Sequence, residues 1–102
     1  MRVELLYVDG CPHLAEADAR IRAALEAVGR GGLAIEQVLV SSQDEAEAMG
    51  FLGSPSVRID GEDPFTEAGA AAGLSCRLYR TDRGSDGAPS VEQLTEVLRG
   101  LA

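Results

Sequence analysis

Residues 2 to 8, RVELLYV, form the stretch that most limits what this chain can become. Apolar side chains stand on both parities of the run, so a strand built from it has to be covered on both faces. Such a strand needs a partner reached by a crossover, and the sequence supplies one at once. From Pro12 to Val28 apolar residues fall at Leu14, Ala17, Ile21, Ala24, Leu25 and Val28, a helical stripe with Pro in the first turn and Gly29 just past the end. GRGG turns the chain, and residues 33 to 40, LAIEQVLV, read as a second strand. A β-α-β unit of this kind crosses over in the right-handed sense and leaves its two strands parallel.

The remainder follows the same grammar. Ser42 can cap a short acidic helix with Glu45 at the capping-box position, and Gly50 ends it. SVRI, 56 to 59, reads as a third strand, closed by the turn pair Asp60-Gly61. Residues 62 to 75 are rich in Ala and Gly, with room for one short helical turn. CRLYR, 76 to 80, alternates as a fourth strand, and TDRGSDGAP is a loop. Ser90 then caps a last helix, with Gln93 at the capping-box position and a stripe at Val91, Leu94, Val97, Leu98 and Leu101. The expected class is α/β in the order β-α-β-α-β-β-α. Its sheet is mixed and four-stranded, with helices on both faces, in a single domain over residues 1 to 102.

Charge narrows the partners. Seventeen acidic residues against nine basic ones give a net charge of −8, which repels nucleic-acid phosphates and anionic membrane surfaces. The arginines form no run. VELLYV contains a glutamate and is too short for a secretion signal or a membrane span, so the expected location is the cytoplasm. In that reducing setting two cysteines far apart in sequence, Cys11 and Cys76, point to reactivity or metal binding rather than to a structural staple.

Cys11 lies between the first strand and the first helix. A thiolate placed at a helix N-terminus faces unpaired backbone N–H groups and the positive end of the macrodipole, and both favour the charged form. His13 adds a donor, or a positive charge when protonated; its other reading is a solvated first-turn residue. Ser54-Pro55 stands immediately before the third strand, where proline cannot serve an interior ladder.

This pairing of Cys11-Pro12-His13-Leu14 with Gly53-Ser54-Pro55-Ser56 resembles the thioredoxin-like superfamily over essentially the whole element order. More closely, the chain is similar to small bacterial thioredoxin-like proteins sharing the GCP, GSP and GLSCRLYRT segments. Some of those relatives carry selenocysteine, and some bear the label alkylmercury lyase. The resemblance implies a cis peptide before Pro55, a reactive Cys11 and a Ser54-Pro55 loop that positions a partner's backbone. Cys-Pro-His also resembles the start of the Cys-Pro-His-Cys motif of periplasmic disulfide oxidases.

The departure from that motif is Leu14, which stands where a second cysteine would expel a mixed disulfide by internal attack. Release then falls to a small thiol such as glutathione, or to Cys76. A simple hairpin would start the fourth strand, and Cys76, at the end of the sheet away from Cys11, as a small buried hydrophobe. Residues 62 to 75, about fourteen at up to ~3.3 Å each, are long enough to bring it back.

The expectation is a thiol-disulfide protein acting on a disulfide-containing or oxidised protein or a small thiol, without a cofactor. Two other readings stand beside it. Cys11, Cys76 and His13 are the ligand types a soft cation such as Hg(II) or Cu(I) selects, and a non-catalytic adaptor could use the Pro55 groove to bind peptide. Asp44, Glu45 and Glu47 read as a solvated helix face; Asp60, Glu62 and Asp63 could touch a divalent cation, yet they lack calcium-loop spacing. Asp9 reads as part of the turn pair Asp9-Gly10.

Overall fold

A computed structural model describes residues 1–66 and 71–101. β1 (Val3–Tyr7) is the central strand, flanked by β2 (Ile35–Leu39) in parallel and β3 (Ser56–Ile59) in antiparallel orientation. The parallel pair is joined by α1 (Leu14–Ala27), and α2 (Gln43–Met49) connects β2 to β3. A separate hairpin, β4 (Tyr79–Thr81) with β5 (Gly84–Asp86), precedes α3 (Val91–Leu101). No helix among the described residues is long and apolar enough to cross a membrane.

The apolar run at the N-terminus is buried from both sides, and its alternation sorts the core. Val3 and Leu5 pack with Ile21 and Leu25 of α1, Val57 and Ile59 of β3, and Leu94 and Leu98 of α3. Leu6 points to the opposite face, against Val40, Ala46 of α2 and Phe51. Helices thus cover both faces, as a strand with apolar side chains on both parities demands. Each fully buried Leu, Ile or Phe contributes roughly 1.5–3 kcal/mol of hydrophobic transfer.

The element boundaries follow local chemistry. Ser42 caps α2 by accepting from the Glu45 N–H at 3.1 Å, and Gly50 closes it in the left-handed conformation, φ 66°. The Glu45 carboxylate reaches past its own cap to the Ser41 N–H at 3.1 Å. Before α3 the capping box is complete: Ser90 Oγ accepts from the Gln93 N–H at 3.1 Å, and Gln93 Oε1 accepts from the Ser90 N–H at 2.9 Å. Asp60-Gly61 turns as expected, with both residues at positive φ.

Three expectations are corrected. α1 begins at Leu14, not Pro12, with His13 as its N-cap. Cys11 therefore precedes the helix, its carbonyl accepting a 3.4 Å bond from the Leu14 N–H across a turn. The sheet has three strands rather than four, because the chain after β3 does not fold straight back on it. Thirdly, the stretch expected to be a loop supplies a strand. Tyr79–Thr81 pairs with Gly84–Asp86 around a tight turn, in which Thr81 Oγ1 donates to the Gly84 carbonyl at 2.8 Å and accepts from the Arg83 N–H at 3.2 Å. The order is accordingly β-α-β-α-β-β-β-α. Of the segment 62 to 75, where a helical turn was expected, residues 67 to 70 lie outside the described residues; Asp63 to Thr66 form a turn in which Asp63 Oδ1 accepts from the Phe65 N–H at 2.8 Å.

The reciprocal box at α3 predicts that Ser90→Ala destabilises the fold by about 1 kcal/mol. Urea unfolding of the wild type and the variant checks this as a lower midpoint at unchanged slope.

Candidate functional site

The C-terminal end of β1 organises the site. Leu6 faces Ser56 across the antiparallel pair, and continuing that register puts Val8 opposite Ser54. The Val8 N–H donates to Ser54 Oγ at 3.1 Å, and the Val8 carbonyl accepts from the Cys11 N–H at 3.2 Å. One residue therefore holds both the turn carrying Cys11 and the Ser54-Pro55 loop. The Ser54-Pro55 peptide is cis. Cys11 is a free, half-buried thiol.

Cys76 comes to this same end of the sheet, against the expectation from a simple hairpin. Its segment runs parallel to residues 51 to 54, and three backbone hydrogen bonds hold it there. Gly73 N–H donates to Phe51 O at 3.0 Å, Ser54 N–H to Ser75 O at 3.0 Å, and Arg77 N–H to Ser54 O at 2.9 Å. Cys76 thus pairs with Ser54. Val8, bonded to the Ser54 hydroxyl, and Cys76, paired with the Ser54 backbone, both adjoin Ser54. Cys76 is exposed, not a buried hydrophobe, and borders a cleft of about 420 Å³ whose walls include Leu52, Phe65, Leu78 and Gln93. Cys11 does not line that cleft. Ser54 is 0% exposed and the Pro55 side chain is under 2% exposed. The two residues expected to hold a partner's backbone are covered by their own chain.

Arg77 anchors this arrangement, and the sequence alone gave it no role. Its guanidinium bonds Asp63 Oδ2 at 2.5 Å, Ser56 Oγ at 3.1 Å and the Phe65 carbonyl at 2.6 Å, with Arg77 and Asp63 side chains only 9% and 11% exposed. Planar, multidentate satisfaction of this kind is what a buried guanidinium requires. It also lies 4.6 Å from the Tyr79 ring centroid, a cation–π contact. Asp63, weighed in the sequence only as a group that could touch a divalent cation, is the buried counter-ion. Tyr79 meets Phe65 edge-on and donates its phenolic O–H to the Pro55 carbonyl at 2.5 Å. The only signal for this network in the sequence was the alternation of CRLYR, which sends Arg77 and Tyr79 to one side.

Burial pushes the Tyr79 phenol well above its ordinary value of 10.0, outweighing the opposing charge of Arg77, and the negative charge of Asp63 adds to the rise.

His13 has a packing role. A Cβ built on Gly87 would lie 2.5 Å from Cγ and Cδ2 of the His13 ring and 2.6 Å from Cε1. The ring lies flat over that glycine, just before α3. Among the described residues no group of three or more His, Cys, Asp or Glu side chains stands together as a metal site, so Cys11, His13 and Cys76 are not assembled as three ligands. No family model matches the chain, nor does any curated protein or solved structure.

Two predictions follow from these contacts. Gly87→Ala forces the His13 ring aside and lowers stability by about 1–3 kcal/mol, whereas Gly87→Ala combined with His13→Ala restores most of it; a double-mutant cycle by urea unfolding measures the coupling. Tyr79 stays protonated in the folded chain while the unfolded chain loses its proton above its ordinary value near 10. Stability is then fully present below pH 10 and falls above it by up to about 1.4 kcal/mol per pH unit. Unfolding midpoints from pH 8 to 11 show this excess decline in the wild type and its loss in Tyr79→Phe.

Proposed function

We propose that the chain is a thioredoxin-like thiol-disulfide protein in which Cys11 is the nucleophile. The observation that carries this reading is the Val8 linkage, which sets the Cys11 turn against the Ser54-Pro55 loop at one end of the central strand pair. The strand order β2-β1-β3, the crossover by α1 and the cis Ser54-Pro55 peptide agree with it. The net charge of −8 and the expected cytoplasmic setting agree with a redox partner other than nucleic acid or membrane.

In the first step the Cys11 thiolate attacks one sulfur of a disulfide, R–S–S–R. A Cys11–S–S–R bond forms, the original S–S bond breaks, and RS⁻ leaves to take a proton from water. In the second step a thiolate R′S⁻ attacks the outer sulfur of Cys11–S–S–R; that bond breaks, R–S–S–R′ forms and Cys11 leaves as thiolate, and exchange of R–S–S–R′ with a second R′S⁻ completes the reduction to RS⁻ and R′–S–S–R′. Leu14 cannot supply that thiol. A low-molecular-weight thiol such as glutathione supplies it; in the alternative, Cys76 attacks the Cys11 sulfur, RS⁻ leaves, and the Cys11–Cys76 disulfide so formed is reduced by two equivalents of a small thiol, to which Cys76 is exposed.

Cys11→Ser is expected to abolish reduction of a model disulfide by glutathione, and Cys76→Ser to retain turnover if the small thiol does the releasing. Coupled turnover assays, with mass spectrometry of the trapped Cys11 adduct, check both. Unchanged turnover in Cys11→Ser removes the reading.

A further inference from the structure

An extended polypeptide docks beside a strand by pairing with free backbone N–H and C=O groups. Next to Cys11 the residue placed to offer such groups is Ser54, and both of its groups are already taken. Its N–H donates to Ser75 and its carbonyl accepts from Arg77.

Several independent contacts make this strap a built part of the fold. Gly53, at φ 120°, lets it approach closely: a Cβ there would stand 3.0 Å from the Ser75 carbonyl oxygen and 3.1 Å from Arg77 Cβ. The carbonyl of Ala72 accepts from the Gln43 side chain of α2 at 3.3 Å, and Gly73 bonds Phe51. At the other end Arg77 is locked by Asp63, Ser56 and Phe65. Pro55 is sealed beneath, with Tyr79 bonded to its carbonyl. A peptide added on the outer edge of the strap would lie a further strand spacing, about 4.8 Å, beyond it and so two spacings from Ser54.

Resting on the thiol-disulfide reading above, we propose that Ser75–Arg77 is an intramolecular strap that occupies the peptide-pairing edge beside Cys11 and restricts the protein to low-molecular-weight disulfides. Cys11 attacks a small R–S–S–R, expels RS⁻, and is released by a second small thiol, which leaves as the mixed disulfide R–S–S–R′. No step requires the partner's backbone to pair with the protein.

The test compares two disulfides on the wild-type chain: hydroxyethyl disulfide, and a mixed disulfide of mercaptoethanol with the central cysteine of a ten-residue extended peptide. The adduct at Cys11 is quantified by tryptic mapping. The small disulfide is expected to react at least tenfold faster, and a smaller ratio overturns the strap. The double variant Asp63→Asn/Arg77→Met, which removes both buried charges together, is expected to lower that ratio at least threefold by loosening the strap; an unchanged ratio in a folded variant overturns it. Amide hydrogen exchange on the wild type provides a readout that needs no variant. The Ser54 and Arg77 N–H groups should be protected as strongly as those of the β1–β3 ladder, and exchange at the rate of an open loop overturns the strap. Absence of any Cys11 adduct with either disulfide, alongside protected Ser54 and Arg77 amides, overturns the thiol-disulfide reading and the restriction that rests on it, while leaving the strap as a structural feature.

Discussion

The ion pair of Arg77 with Asp63 is the interaction on which the architecture around the site depends. Two opposite charges about a tenth exposed are tolerable only with further hydrogen bonds, and here a hydroxyl and a backbone carbonyl each accept one from the guanidinium. The pair therefore does more than neutralise itself. It draws the turn at Asp63–Thr66 onto the segment at Arg77, it touches Ser56 at the head of β3, and it presents its cation to the ring of Tyr79. Those contacts decide where the chain goes after β3. Instead of doubling back as a fourth strand, it leaves the sheet, turns, and returns alongside residues 51 to 54.

That return explains which parts of the fold were legible in the sequence. β1 was readable because five nearly contiguous apolar residues can be satisfied only by cover on two faces. The three helices were readable because their caps and stripes are local: Ser42, Gly50, Ser90 and Gln93 act within four residues of their partners. The partner of the fourth strand was not, because what competes with a ladder to β3 is long-range, and β4 pairs with β5 instead. The alternation of CRLYR is real, yet it places Arg77 toward Asp63 and Tyr79 toward Pro55 rather than building a ladder with β3. An arginine and an aspartate fourteen positions apart carry no local signature of pairing, so Asp63 stood out only as one acid among its neighbours Asp60 and Glu62.

The site divides in the same way. Cys11, Ser54 and Pro55 announce themselves through turn chemistry and a misplaced proline, and the structure brings them to one end of the sheet. Cys76 was ambiguous because strand direction argued for the opposite end. The backbone bonds of Ser54 resolve its position, and they do so by consuming groups that the family resemblance would leave open to a partner. His13 read equally well as a chemical group or a solvated residue, and neither description includes the surface it covers. Its partner is a glycine, which offers nothing for a side-chain pattern to detect.

The stacking of His13 over Gly87 links two positions that lie seventy-four residues apart in the chain. Variation at one constrains variation at the other, since a flat ring at 13 tolerates no side chain at 87, while a small residue at 13 would free 87 to grow. In any set of related chains these two columns should therefore drift together, and a substitution at 87 would report on the neighbourhood of the thiol although it carries no reactive group itself.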